Sequence, residues 1–180
     1  MNKILNAFDN LKMTQDLVKF IDTKANILLV LYGLIITNFL KQSEGVGFIN
    51  PGQFTEVHLQ VLAGVVLVLG LGFWGLVAFQ LYHVIFGIIT PRLSKSYKPE
   101  ECSSFYFEHI ACTDRETYKK NFMALDEEAA TGQVLDQIYA VAGILAEKTR
   151  HFKIAVRCLF PSVILLLLYY GLSVALRGKG

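Results

Sequence analysis

The sequence is short of charge. Asp, Glu, Lys and Arg make up 18% of its 180 residues, against about a quarter in an average soluble domain. What charge there is nearly cancels: the formal net charge is +2, too small for a protein that holds a phosphate backbone by electrostatics, so no nucleic acid is expected as a partner. Cysteine is scarce as well. Cys102, Cys112 and Cys158 form no paired framework, which excludes a disulfide scaffold and suits a reducing cytosol. Hydrolase triads, P-loops, dinucleotide fingerprints and zinc-protease helices are all missing, so the chain is expected not to be an enzyme. Cys102, His109 and Cys112 fit no zinc spacing and have no obvious fourth ligand, so neither metal nor cofactor is expected. Glu127-Glu128 reads as a solvated turn rather than a catalytic pair. Residues Met1 to Lys24 lack the continuous apolar core of a secretory signal, and neither Asn2 nor Arg177-Gly178-Lys179-Gly180 carries a lipidation pattern. No internal repeat or low-complexity tract is visible.

What is present is apolar and segregated. Hydrophobic residues make up 53% of the chain and the mean hydropathy is +0.44. The apolar residues fall into three blocks, with the charges before and between them, as a bilayer demands. Ala25 to Leu40 is the first block, bounded by Lys24 and Lys41 and short unless Phe20 and Ile21 extend it. Gln42 to Gln60 reads as a loop, with Asn50-Pro51-Gly52 as a turn signal. Val61 to Phe79 is an uninterrupted run that continues to Ile89, where Thr90-Pro91 stops it. Cys158 to Leu176 is the third block, with Pro161 near its start.

Two of the blocks are prefaced by helical seams. Ile4, Phe8, Leu11, Val18 and Ile21 recur near a 3.5-residue period, and Val134, Ile138, Val141, Leu145 and Phe152 do the same ahead of the third block. Met1 to about Leu40 and Gln133 to about Leu176 are therefore expected to be single long helices. Between them, Pro99-Glu100-Glu101 is a break and Ser103 to Ile110 reads as a short extended segment. Thr113 is expected to cap a helix in a box with Glu116, the helix running to about Leu125. Lys3, Lys12, Lys19 and Lys24 precede the first block. Arg92, Lys95, Lys98, Arg115, Lys119, Lys120, Lys148, Arg150, Lys153 and Arg157 lie between the second and third, and only Lys41, Arg177 and Lys179 fall on the other side. The positive-inside rule places the N-terminus and the middle stretch in the cytosol.

The expected fold is thus an all-α integral membrane protein, with about three transmembrane helices and long helices continuing into a small cytosolic helical domain. Its parts are a cytosolic amphipathic helix (1–24), transmembrane helices 1 and 2 with a short outer loop (25–89), a cytosolic sensor domain (90–157), and transmembrane helix 3 with its tail (158–180). The seams present more apolar surface than one small domain covers, so a homo-oligomer is expected.

Three groups of residues stand out as candidates for chemistry. Asp22, Lys24 and Asn26 place polar groups at the membrane mouth of the first helix, either as an interfacial anchor or as a hydrogen-bonding cluster that ties this helix to the cytosolic domain or to a ligand. Phe105, Tyr106, Phe107 and His109 precede Arg115, Tyr118, Lys119 and Lys120; such aromatics stack on a base and such cations neutralise phosphate, or the aromatics fill a core and the charges face water. Gln80 and His83, late in the second block, point to a polar pathway through the bundle.

Three segments in order carry a family resemblance: Asp22-Thr23-Lys24-Ala25-Asn26-Ile27-Leu28-Leu29 opening a span; Phe105-Tyr106-Phe107-Glu108-His109-Ile110 followed by Tyr118; and Asp136-Gln137-Ile138-Tyr139 with Lys148 before a final span. Together they resemble the Pycsar transmembrane effectors over nearly the whole chain, with one departure at Thr149, where an aromatic is expected. The resemblance implies a bacterial anti-phage effector in the inner (plasma) membrane. A pyrimidine nucleotide cyclase makes cyclic CMP or cyclic UMP on infection, and the effector senses that nucleotide and impairs the membrane. A site for such a ligand needs a cation from Arg115, Lys119, Lys120, Lys148 or Arg150. It needs an aromatic shelf from Phe107, Tyr118 or Tyr139, and base-edge groups from Asn26, His109 or Gln137. The rival reading is a ligand-independent membrane scaffold or assembly factor that docks a cytosolic protein; a small constitutive channel is a third.

Overall fold

Helices account for nearly all of the regular structure in the computed structural model, which describes residues 3–44, 51–89 and 103–177. In chain order they are α1 (Lys3–Glu44), a single 3₁₀ turn (Pro51–Gln53), α2 (Val57–Ile89), α3 (Phe107–Cys112), α4 (Arg115–Met123) and α5 (Glu127–Arg177). There is no strand among the described residues. The all-α expectation holds, and α1, α2 and α5 are each long and apolar enough to cross a membrane. At 33 residues, α2 extends about 50 Å, well beyond the roughly 30 Å of bilayer hydrocarbon.

Each long helix packs along a heptad seam. In α2 the buried positions are Leu59, Ala63, Val66, Gly70, Phe73, Val77, Gln80, Val84 and Gly87, alternating steps of four and three. That is the 3.5-residue period of left-handed helix packing. In α1 the same alternation runs through Ala7, Leu11, Ala25, Leu28, Tyr32 and Phe39. In α5 it runs through Ala130, Val134, Lys148, His151, Ala155, Ser162 and Leu176.

Two compact units divide the chain, one formed by Met1–Thr23 and Ile89–Thr149, the other by Lys24–Ile88 and Arg150–Gly180. In the first unit, Ala7, Leu11 and Val134 form the core, with Phe105, Ile138 and Val141 packed against it. Leu11 of the first seam thus packs with Val134, Ile138 and Val141 of the second inside one chain, while Phe8 of the first seam is 38% exposed. On the outer face of α1, Leu5, Met13, Leu17 and Phe20 are exposed.

The second unit is a three-helix bundle. Ala25, Leu28, Tyr32, Val84 and Ala155 make one core cluster, Phe39, Phe73 and Val77 another, and Leu59, Ala63, Val66 and Leu176 a third. Its outward residues are apolar too: Val30, Leu34, Val61, Val68, Leu71, Phe160, Leu167 and Val174 are all exposed. A water-soluble bundle does not ring itself with such side chains, whereas a bilayer requires it. Polar hydroxyls in this setting satisfy themselves locally. Thr37 Oγ1 donates to the Gly33 carbonyl at 2.8 Å, and Ser162 Oγ donates to the Cys158 carbonyl at 2.9 Å. Pro161 sits inside α5 without ending it, as membrane helices allow.

Several boundaries differ from expectation. α2 starts at Val57 rather than after Gln60, the Gln60 side chain donating back to the Phe54 carbonyl at 2.7 Å. The segment read as extended to Ile110 turns helical at Phe107; its aromatics favour a strand by propensity, but packing of Phe105 into the core decides the local path. The cap of α4 is Asp114, whose side chain accepts from the Glu116 and Thr117 amides. Thr113 instead donates its hydroxyl to the His109 carbonyl at 2.7 Å, closing α3. α5 begins at Glu127 behind a cap from Asp126, which accepts from the Ala129 amide at 2.7 Å. Thr90-Pro91, Pro99-Glu100-Glu101 and Cys102 lie outside the described residues.

Candidate functional site

The first unit holds most of the candidate residues. Phe105 inserts between α1 and α5, with its ring edge-on to Phe8 at 5.5 Å and to Phe122 at 5.9 Å. Tyr118, half-buried, lies 5.9 Å from Phe122. This answers one open question: Phe105 is core. The side chain of Phe107 lies outside the described residues.

A polar network pins the segment ahead of α3. Ser104 N donates to Gln133 Oε1 at 2.9 Å and Ser103 Oγ to the same oxygen at 3.4 Å. Ser103 N donates to His109 Nδ1 at 2.9 Å. Nδ1 of His109 is thereby the acceptor of this contact. Gln137 lies four residues after Gln133, on the same side of α5. Its Oε1 is buried and has no hydrogen-bond donor among the described residues, a condition worth about 1–3 kcal/mol to whatever donor fills it. Ser103, Ser104 and Gln133 were not singled out from the sequence; the i, i+4 pair of glutamines is the one trace they leave there.

Lys148 is buried, with 3% of its side chain exposed, and its Nζ lies 2.6 Å from Asp22 Oδ1, itself 35% exposed. The two were separate candidates in the sequence, 126 residues apart, and the structure brings them together. Lys148 is thus charge-compensated by a carboxylate. The cations on α4 differ: Arg115, Lys119 and Lys120 are exposed, with Lys119 in a loose contact to Glu116 at 3.7 Å. Asp114, at the head of α4, is held below its ordinary carboxylate pKa by hydrogen bonds from the Thr117 side chain and from the Thr117 and Glu116 amides. Tyr139 is 84% exposed on α5. Lys24, Asn26 and Arg150 belong to the second unit and are exposed. No group of three potential metal ligands occurs among the described residues.

Fold and outward apolar surface define the class: a helical membrane protein with three spanning helices and a smaller, polar helical unit. The family follows from comparison. A family model described as the Pycsar effector protein domain matches residues 6–175, and the chain belongs to that family. Membership makes it a membrane effector of cyclic-nucleotide-signalled anti-phage defence. No curated protein and no solved structure matched the chain.

Proposed function

We propose that the first unit senses a cyclic pyrimidine mononucleotide, cyclic CMP or cyclic UMP, and that the response impairs the inner membrane of a bacterium. The family match carries this reading, and the chemistry of the first unit supports it. Both nucleotides have one negative charge and a donor on the base edge: the exocyclic amine of cytosine or the ring N–H of uracil. Buried Gln137 Oε1 wants a donor, Arg115, Lys119 and Lys120 supply exposed cations, and Tyr118 and Tyr139 supply ring faces. Lys148 joins them only by exchanging the Asp22 carboxylate for the ligand's phosphate. Such an exchange is a differential interaction between two states, which is what a population shift requires.

In this account the chain is not an enzyme, takes no cofactor and works beside a pyrimidine nucleotide cyclase. It assembles as a homo-oligomer through the exposed outer face of α1, with the first unit in the cytosol. The test is growth. Cells producing the chain with a cyclic CMP- or cyclic UMP-forming cyclase should stop growing, and Arg115→Ala or Lys148→Ala should restore growth while the protein still reaches the membrane. If Arg115, Lys119, Lys120 and Lys148 can each be replaced with arrest intact, the sensing site is wrong and the scaffold reading gains.

A further inference from the structure

The second unit buries polar side chains that neither sensing nor packing explains. His83 Nδ1 and His151 Nδ1 are 2.8 Å apart, and His151 is 6% exposed. Phe79, Tyr82 and Phe86 ring the pair at 4.5 to 5.4 Å. One turn along α2, fully buried Gln80 donates its amide to Ser162 Oγ at 2.5 Å. Its own Oε1 has no donor among the described residues. On α5, His151, Ser162 and Ser173 are spaced by eleven residues, three full turns, so they share one face. Ser173 is 1% exposed and its Oγ also lacks a partner among the described residues.

Between Ser162 and Ser173 the bundle is closed by aromatics drawn from all three helices. Phe39 lies 5.1 Å from Phe73, 5.3 Å from Trp74 and 5.1 Å from Tyr169. Gly70 makes room for this plug, since a Cβ there would come within 3.1 Å of the Tyr169 ring. Polar groups inside a membrane bundle are costly and mark ion or proton pathways. An apolar core of the same shape would be cheaper than an open acceptor at Gln80.

We propose that the second unit carries a proton track: His151, His83, Gln80 and Ser162, with intervening water, closed toward Ser173 by the Phe39–Phe73–Tyr169 plug. The inference rests on the effector reading and specifies how the membrane is impaired: the plug parts and the proton gradient collapses. The histidine step balances. One proton sits between the two Nδ1 atoms. A proton taken up at Nε2 of His151 lets its Nδ1 proton cross to His83, and His83 gives its Nε2 proton to the next carrier. One proton enters, one leaves and both rings end neutral.

The test uses the full chain in liposomes holding a trapped pH-sensitive dye and, separately, a trapped fluorescent solute, with cyclic CMP or cyclic UMP as the trigger. The nucleotide should collapse the pH gradient without releasing the solute. Gln80→Leu, which removes the group that positions the intervening water, and His83→Phe, which removes a proton carrier, both checked for unchanged helix content and nucleotide binding, should each slow the collapse about a hundredfold. Phe39→Ala should leak protons without nucleotide. Proton flux that survives both polar substitutions, solute escaping in step with protons, or no flux even with Phe39→Ala each overturns the track. Flux through Phe39→Ala that depends on Gln80, with no response to either nucleotide in the unaltered chain, supports the track and instead refutes the sensing reading.

Discussion

The Asp22–Lys148 pair gives an asymmetric prediction. Lys148 has 3% of its side chain exposed and Asp22 has 35%, so the two ends of one 2.6 Å contact answer differently to loss of the partner. Replacing Asp22 by Asn strips the carboxylate from a buried ammonium that water cannot reach. Breaking a buried pair costs about 3–5 kcal/mol, and Asp22's partial hydration places this case near 3. Replacing Lys148 by Met keeps the volume and leaves a carboxylate that turns to solvent, so the cost approaches that of a surface pair, about 1 kcal/mol or less. The double variant should resemble Lys148→Met alone, because the ammonium that lost its carboxylate is gone. For a chain of this length, about 3 kcal/mol corresponds to a fall in Tm of roughly 6–12 °C. Thermal unfolding in mild detergent, followed by circular dichroism, reads all three variants. Equal losses for the two single variants, or a double variant that loses their sum, would refute the reasoning.

The head of α4 should be pH-sensitive. Hydrogen bonds lower the pKa of Asp114 in the folded chain, so its contribution is fully present above the unfolded carboxylate pKa and is lost as pH falls through the lowered folded value. Protection of the Glu116 and Thr117 amides from hydrogen exchange should fall over that acidic window, and Asp114→Ala should abolish the dependence. Cysteines introduced near Lys120 should react with cytosolic reagents only, and one at Gly180 with external reagents only; external labelling near Lys120 would invert the topology.

Much of the fold was legible because membranes simplify sequence. Three apolar blocks gave three helices, and the 3.5-residue seam of Leu11, Val18 and Ile21 announced that α1 runs far beyond its span. The seam of α2 was not legible. Its buried Val66 and Val77 and its exposed Val61 and Val68 are the same residue type, because lipid and helix neighbours select alike. The α4 cap slipped by one residue, from Thr113 to Asp114, since both are good caps and only the fold shows that Thr113 already bonds His109. The pairings among the candidate residues were not legible. Asp22 with Lys148, Ser104 with Gln133 and His83 with His151 all join residues far apart in the chain.

Calorimetric titration of the detergent-solubilised chain with cyclic CMP, cyclic UMP, cyclic AMP and cyclic GMP tests the central claim most directly. Saturable binding of one or both pyrimidine nucleotides is expected, with affinity lowered about ten- to a hundredfold by Arg115→Ala, as loss of one charge-assisted phosphate contact requires. Binding of the purine nucleotides with equal affinity, or no heat with any of the four from a folded sample, would contradict it.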